Sequence, residues 1–208
     1  MLSVIISAAS PIPKKHSYGP KPLLKMATGD TLIETQVKTI RRDFPDADII
    51  LTAGFEAEKI ARRVKGVEII YDDSYKIYNT EDIRLALDAA GGDEILYIQG
   101  DLIFNKSCLN IINGHSSILL NTVGDMSPSD VGATVIDDYI TIMSYGVNPK
   151  WGKMAFFTNR DVLLLKELFR DSKTKNYLMF EIINLLIDGH HRTFKALEPK
   201  NAESRLYI

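Results

Sequence analysis

One cysteine, Cys108, is all the thiol in the chain. No disulfide framework can therefore staple the fold, and such thiol poverty fits a reducing compartment. Charge of either sign is not in excess. Lys and Arg number 25 against 27 Asp and Glu, for a net charge of −2. A nucleic-acid backbone asks for a concentrated basic field, and the chain as a whole has none, so no nucleic-acid partner is expected. A local basic rim around a phosphate site stays open. No apolar run is long enough to span a bilayer. No basic leader followed by a long apolar stretch opens the chain. The expectation is a soluble cytoplasmic protein with no membrane partner. Internal repeats and low-complexity tracts are missing too. So are a nucleophile elbow, a CxxC pair, an HExxH helix and a complete Walker A loop.

What is there reads as an ordinary globular chain of 208 residues, 45% hydrophobic and 25% charged. That suits one domain, residues 1–208, with a sizeable core. Residues 2–9 form a continuous apolar, β-branched run, the mark of a strand buried on both faces of a parallel sheet. Ser10-Pro11-Ile12-Pro13 ends it, since proline cannot donate to a ladder. A polar stretch, 14–19, follows. Gly29-Asp30 marks a turn. Thr31 with Glu34 three residues on makes a capping box for a helix that Pro45 ends. A second strand covers 48–54, an amphipathic helix 55–65 stopped by Gly66, and a third strand 67–71. Asn79-Thr80 precedes a helix over 81–90. A fourth strand, 94–99, closes on Gly100-Asp101, with a helix expected near Asn105. Strands alternating with helices at this spacing imply right-handed βαβ units and a parallel sheet.

The second half changes character. Strands are expected over 117–122 and 153–158. Residues 132–136 and 139–144 flank Asp137-Asp138 as an antiparallel hairpin. Helices over 160–169 and 176–188 precede a last strand near 192–197. The sum is an α/β protein around a mixed, mainly parallel sheet.

In an open α/β sheet, ligands bind beyond the carboxyl ends of the strands. That points to three places: after Ala9, around Asn79-Thr80, and at Gly100-Asp101. An acid directly after a buried strand is costly unless solvated, paired or holding a metal. Asp101 is thus the best single ligand candidate, and one carboxylate with phosphate oxygens and waters suits Mg2+. A turn or capping role for Asp101 is an equal alternative. Lys21, set between two prolines that limit where it points, can act as a point charge on phosphate; a solvated surface lysine is the plain alternative. Lys14, Lys15 and His16 add local positive charge of the solvent-facing kind. Thr80 or Asn79 can cap the next helix, with Glu81 and Asp82 favourable in its first turn. The same helix start can also face the ligand crevice. His190-His191 reads as cap charge at a helix end. Trp151 reads as a core or lid aromatic, or as a ring closing over a ligand.

Taken together, these residues resemble the nucleotidyltransferases that activate sugar phosphates or phosphocholine with an NTP. Pro20-Lys21-Pro22-Leu23 matches their Pro-Lys-x-Leu signature. Ala8-Ala9 matches the small pair after the first strand. Gly29-Asp30-Thr31-Leu32-Ile33-Glu34 matches the turn and helix, and Gly100-Asp101 the strand end whose Asp binds Mg2+. The resemblance covers most of the chain and implies a three-layer sandwich of the nucleotide-diphospho-sugar transferase (GT-A) type. It implies Mg2+ as cofactor, and an NTP and a small phosphorylated acceptor as partners. Lys21 and Asp101 are then catalytic. Ala8, Ala9, Ser10, Asn79, Thr80 and Gly100 face the nucleotide, and Trp151 and Glu181 the acceptor. A second metal carboxylate is expected near the C-terminus, where Glu198 is the choice over Glu203. One departure stands out. Ser10-Pro11-Ile12-Pro13 replaces the family's Gly-x-Gly and Arg, and prolines have no N–H to offer a phosphate. A nucleotide-binding protein without catalysis is the alternative this leaves, beside a glycosyltransferase on the same fold, for which the expected Asp-x-Asp is replaced by Gly-Asp-Leu.

Overall fold

A computed structural model describes residues 1–9, 19–75, 80–121 and 125–198, and the backbone of 204–206. Eleven strands and five α-helices make it up. β1 (Leu2–Ala8), β2 (Asp48–Ala53), β3 (Glu68–Tyr71) and β4 (Glu94–Gln99) form the parallel half, in the order β3-β2-β1-β4. Alternate side chains of β1 feed two cores. Val4, Ile6 and Ala8 join one and Ile5 the other, because successive residues on a strand point to opposite faces.

The helices sort to these cores by their apolar spacing. α1 (Leu32–Asp43) sends Ile33, Val37 and Ile40 into the first, a single helical stripe. Its start is the expected capping box. The Thr31 amide donates to Glu34 Oε2 at 2.7 Å, and the Glu34 amide to Thr31 Oγ1 at 3.4 Å. α2 (Ala57–Ala61) is far shorter than the helix expected over 55–65. Glu56 before it sits at φ 54 with no side-chain cap bond, and the helix is two residues shorter at its start and four shorter at its end than expected. The second core takes α3 (Glu81–Ala89), α4 (Arg160–Arg170) and α5 (Met179–Asp188) through Ile83, Leu87, Leu165 and Ile183. Thr80 stands at the start of α3 but does not cap it; its hydroxyl donates to Tyr177 O at 3.0 Å, tying α3 to the loop before α5.

The later strands are β5 (Leu102–Phe104), β6 (Ser117–Asn121), β7 (Val131–Ile136), β8 (Tyr139–Tyr145), β9 (Lys150–Thr158), β10 (Lys195–Leu197) and β11 (Ser204–Leu206). The main sheet continues from β4 as β9-β6-β10-β8-β7, and β7 pairs back onto β9 through Gly132 and Lys150. β9, β6, β10, β8 and β7 thereby close into a ring. The sheet is mixed, as expected, but not mainly parallel. β3–β2, β2–β1, β1–β4 and β6–β10 run parallel, and the five pairings that build the rest of the ring and join it to β4 run antiparallel. Two-residue turn chemistry explains the tightest of these. Asp137 and Asp138 both take positive φ, at 49° and 67°, the conformation a tight β7–β8 hairpin demands. Where a helix was expected near Asn105, the chain makes β5 and then a 3-10 helix, Lys106–Ile111. β11, unforeseen, pairs antiparallel with β5.

Candidate functional site

Lys21, Gly100, Asp101 and the Ala8-Ala9 pair gather at the carboxyl edge of β1 and β4. Gly100 brings the two strand ends together. Its amide donates to Ser7 O at 2.7 Å. A Cβ at this position would stand 2.6 Å from Ala8 Cβ and 2.7 Å from Ser7 O, so only glycine lets β4 lie this close to β1. Asp101 is thereby delivered beside the Ala8-Ala9 end of β1. Lys21 reaches it from a 3-10 turn, Lys21–Leu23, and its ammonium lies 2.7 Å from Asp101 Oδ2. The other oxygen, Oδ1, is buried and has no hydrogen-bond partner among the described residues. With one carboxylate oxygen held by a lysine and the other without a donor among the described residues, Asp101 could hold a divalent cation.

Lys153, missed by sequence reasoning, faces the same place. It lies in β9 at φ 58, where the register against β6 shifts between Ile118 and Leu120. Such a bulge re-aims a side chain. Its ammonium stands 5.0 Å from the centroid of the Trp151 ring. Burial holds its pKa below the ordinary lysine range, while Asp101 and Asp130 pull it up and Lys150 and Lys21 oppose them. The available signal was Gly152, since glycine inside a strand pattern marks a bulge or a close approach. A strand expected to start at Lys153 hid it; β9 starts three residues earlier, at Lys150.

Beside this cluster opens a cavity of about 220 Å3. Its walls include the rings of Tyr97, Tyr145, Trp151 and Phe180. Tyr97 stacks on Trp151 with centroids 6.4 Å apart, and Tyr145 meets Phe180 edge-on at 5.2 Å. Trp151 is a fixed wall rather than a lid. It is buried, and its indole N–H donates to Met154 O at 3.1 Å. At the edge of β1 and β2 lies Asp82, which the sequence offered only as a first-turn acid. Ser7 Oγ and Thr52 Oγ1 both donate to its Oδ2, at 2.6 and 2.9 Å, and the Ala8 amide donates in turn to Thr52 Oγ1 at 3.1 Å. Burial pushes the Asp82 pKa up, offset in part by the two hydroxyls and reinforced by Asp72. Burial also drives the Tyr97 phenol upward.

The remaining expected residues fall as follows. Ala8 and Ala9 are buried at the end of β1, and Thr80 lines the cavity. Glu181 does not line it. Its carboxylate accepts the Leu178 amide at 2.6 Å and so caps α5. Glu198 is exposed and directly follows β10, on the same sheet edge as Asp101 but with β9 and β6 between β10 and β4. Among the described residues, no three His, Cys, Asp or Glu side chains come together as a metal cluster. Ser10, Asn79, Glu203 and the Lys14, Lys15 and His16 group lie outside the described residues, as do Pro11 and Pro13.

No protein-family model matches the chain, and no curated protein matches it in sequence. Solved structures do. An inositol-1-phosphate CTP transferase from T. maritima superposes with a TM-score of 0.79 at 14% identity, over 99% of this chain and 88% of that one. A CTP:phosphocholine cytidylyltransferase from Streptococcus pneumoniae gives 0.75 at 13% identity, over 99% and 93%. A nucleotidyl transferase from Methanothermobacter gives 0.66 at 17%, over 97% and 88%. The chain therefore has the mixed α/β fold of nucleotidyltransferases. Among the described residues, no helix is long and apolar enough to cross a membrane.

Proposed function

We propose that this protein is a Mg2+-dependent nucleotidyltransferase, a single GT-A-type domain with helices layered on both faces of the sheet. It moves an NMP from an NTP to a phosphorylated acceptor. The observation that carries the reading is the Lys21–Asp101 pair at the carboxyl edge of the parallel strands, with Asp101 Oδ1 left without a donor among the described residues. An oxygen of the acceptor's phosphate attacks the α-phosphorus in line. The bond to the bridging oxygen breaks, and pyrophosphate leaves with the electron pair. A phosphomonoester is already ionised at neutral pH, so no general base is required. The work is positioning and charge stabilisation. Asp101 would hold the metal, with Glu198 a further carboxylate on the same edge, and a bound Mg2+ would neutralise the α-phosphate. Lys21 would release Asp101 and move its charge onto the nucleotide phosphates. Lys153 would bind the acceptor's phosphate, with Ala8, Ala9, Gly100 and Thr80 shaping the nucleotide side.

The test is pyrophosphate release from each of the four NTPs with Mg2+ and a panel of phosphorylated acceptors, repeated with Asp101→Ala. Turnover that vanishes in the variant supports the assignment. Turnover undiminished by the substitution overturns it, and NTP binding without pyrophosphate release by the wild type favours a non-catalytic nucleotide binder.

A further inference from the structure

The cavity beside Lys153 has an unusual balance of polar groups. Its serine and threonine hydroxyls are already engaged within the protein. Ser7 donates to Asp82 at 2.6 Å, Thr80 to Tyr177 O at 3.0 Å, and Ser129 pairs with Ser127 at 2.9 Å. Besides the Lys153 ammonium, the groups left over on its walls include a carboxylate and an amide oxygen. Asp82 forms no ion pair with any described residue, although it is only 4% exposed. The Gln99 side-chain oxygen is buried with no partner among the described residues. The rest of the surface is apolar, half of it aromatic rings and half aliphatic side chains.

A sugar ring brings several hydroxyls, each of which both donates and accepts, and it binds well only where both are answered. Here the serine and threonine hydroxyls are already spent within the protein. An ammonium head brings positive charge and apolar substituents. Ring faces attract such a head, and a buried carboxylate without a counter-ion is costly until one arrives. The volume, about 220 Å3, equals the share of about seven waters in the liquid, enough for a small head group. Lys153, near Asp101 at the cavity wall, would take the phosphate at the other end of the same molecule.

We infer that the acceptor is the phosphomonoester of an amino alcohol, its ammonium head seated among Tyr97, Tyr145, Trp151 and Phe180 and facing Asp82. This rests on the nucleotidyl-transfer reading and narrows its acceptor. The bond formed joins the acceptor's phosphate oxygen to the α-phosphorus, pyrophosphate departs, and the ammonium group is unchanged.

Pyrophosphate release is measured with phosphocholine and phosphoethanolamine against glucose 1-phosphate and inositol 1-phosphate, with each NTP and Mg2+. The expected result is a kcat/KM for at least one ammonium acceptor tenfold or more above both neutral ones. Asp82→Asn should cut that preference at least tenfold while the KM for the NTP stays put. Tyr145→Leu, at a half-exposed position that does not threaten folding, should raise the KM for the ammonium acceptor several-fold. Equal or better turnover of the neutral acceptors overturns the acceptor assignment and leaves nucleotidyl transfer standing. A preference for ammonium acceptors that survives both substitutions overturns the role of this cavity. No pyrophosphate from any combination overturns both readings.

Discussion

Lys21 and Asp101 are 80 residues apart in sequence, and their side chains meet at 2.7 Å. The pair is partly exposed, at 29% and 20% for the two side chains, so it contributes only about 0–1 kcal/mol to stability. Its position at the strand edge matters more than its strength. A lysine in contact with a carboxylate at this edge holds it in place, and on the proposed reading it would exchange the carboxylate for phosphate when substrate enters.

Lys21→Met should therefore leave the melting temperature nearly unchanged and cut kcat/KM by about 10²–10³-fold, the usual loss for one donor to transition-state charge. Steady-state pyrophosphate assays and a thermal melt on the same sample check both halves. A large drop in melting temperature would make Lys21 structural instead.

Gly100→Ala tests how closely β4 must approach β1. The added methyl would meet Ala8 Cβ at 2.6 Å, Ser7 O at 2.7 Å and Ala8 Cα at 2.8 Å. Two of these three atoms belong to backbone, which cannot swing aside. Overpacking of this kind destabilises by about 1–3 kcal/mol, and the shift moves Asp101 away from Lys21. Lower stability and lower activity should appear together, in contrast to Lys21→Met.

These two sites also mark what the sequence made legible. Lys21, Gly100 and Asp101, which the structure brings together, sit in local patterns that single them out without the fold, namely a proline-flanked lysine and a glycine-acid strand end. The Thr31–Glu34 box was readable for the same reason, because both of its bonds span three residues. Asp82 and Lys153 were not. Asp82 depends on hydroxyls from Ser7 and Thr52, 75 and 30 residues away. Lys153 depends on a bulge against β6. The ring closure of β7 onto β9 is equally non-local, and no periodicity within either strand announces it.

Lys153 occupies a backbone conformation that disfavours side chains, φ 58, and its ammonium is buried against its preference for charge. Lys153→Gly relieves both. The left-handed conformation alone disfavours a side chain by about 1–2 kcal/mol. The variant should match or exceed the wild-type melting temperature and yet raise the acceptor KM at least tenfold. Strain kept at a position whose removal stabilises the protein is what a functional residue shows. A variant that is less stable and fully active would make Lys153 a packing residue.

Asp82 gives a prediction in pH. Burial raises its pKa above the ordinary carboxylate value, Asp72 adds to the rise, and no cation offsets it in the absence of a ligand. Tyr97 faces it as a neutral phenol, and Lys153 lies across the cavity. The native state then binds more protons than the unfolded chain between the unfolded and the raised pKa. Stability contributed by protonated Asp82 is full below the unfolded value and is lost as pH rises through the folded one. Asp82→Asn keeps an oxygen for the Ser7 and Thr52 hydroxyls and does not titrate. Its melting temperature, relative to wild type, should climb as pH is raised from 4 toward 8. An ammonium-bearing ligand should narrow that gap by giving the wild-type carboxylate a counter-charge, so melts with and without phosphocholine must differ more for wild type than for Asp82→Asn. A difference between the two proteins that is flat with pH would mean that burial does not raise the Asp82 pKa and that the carboxylate is not short of a counter-charge in the free protein.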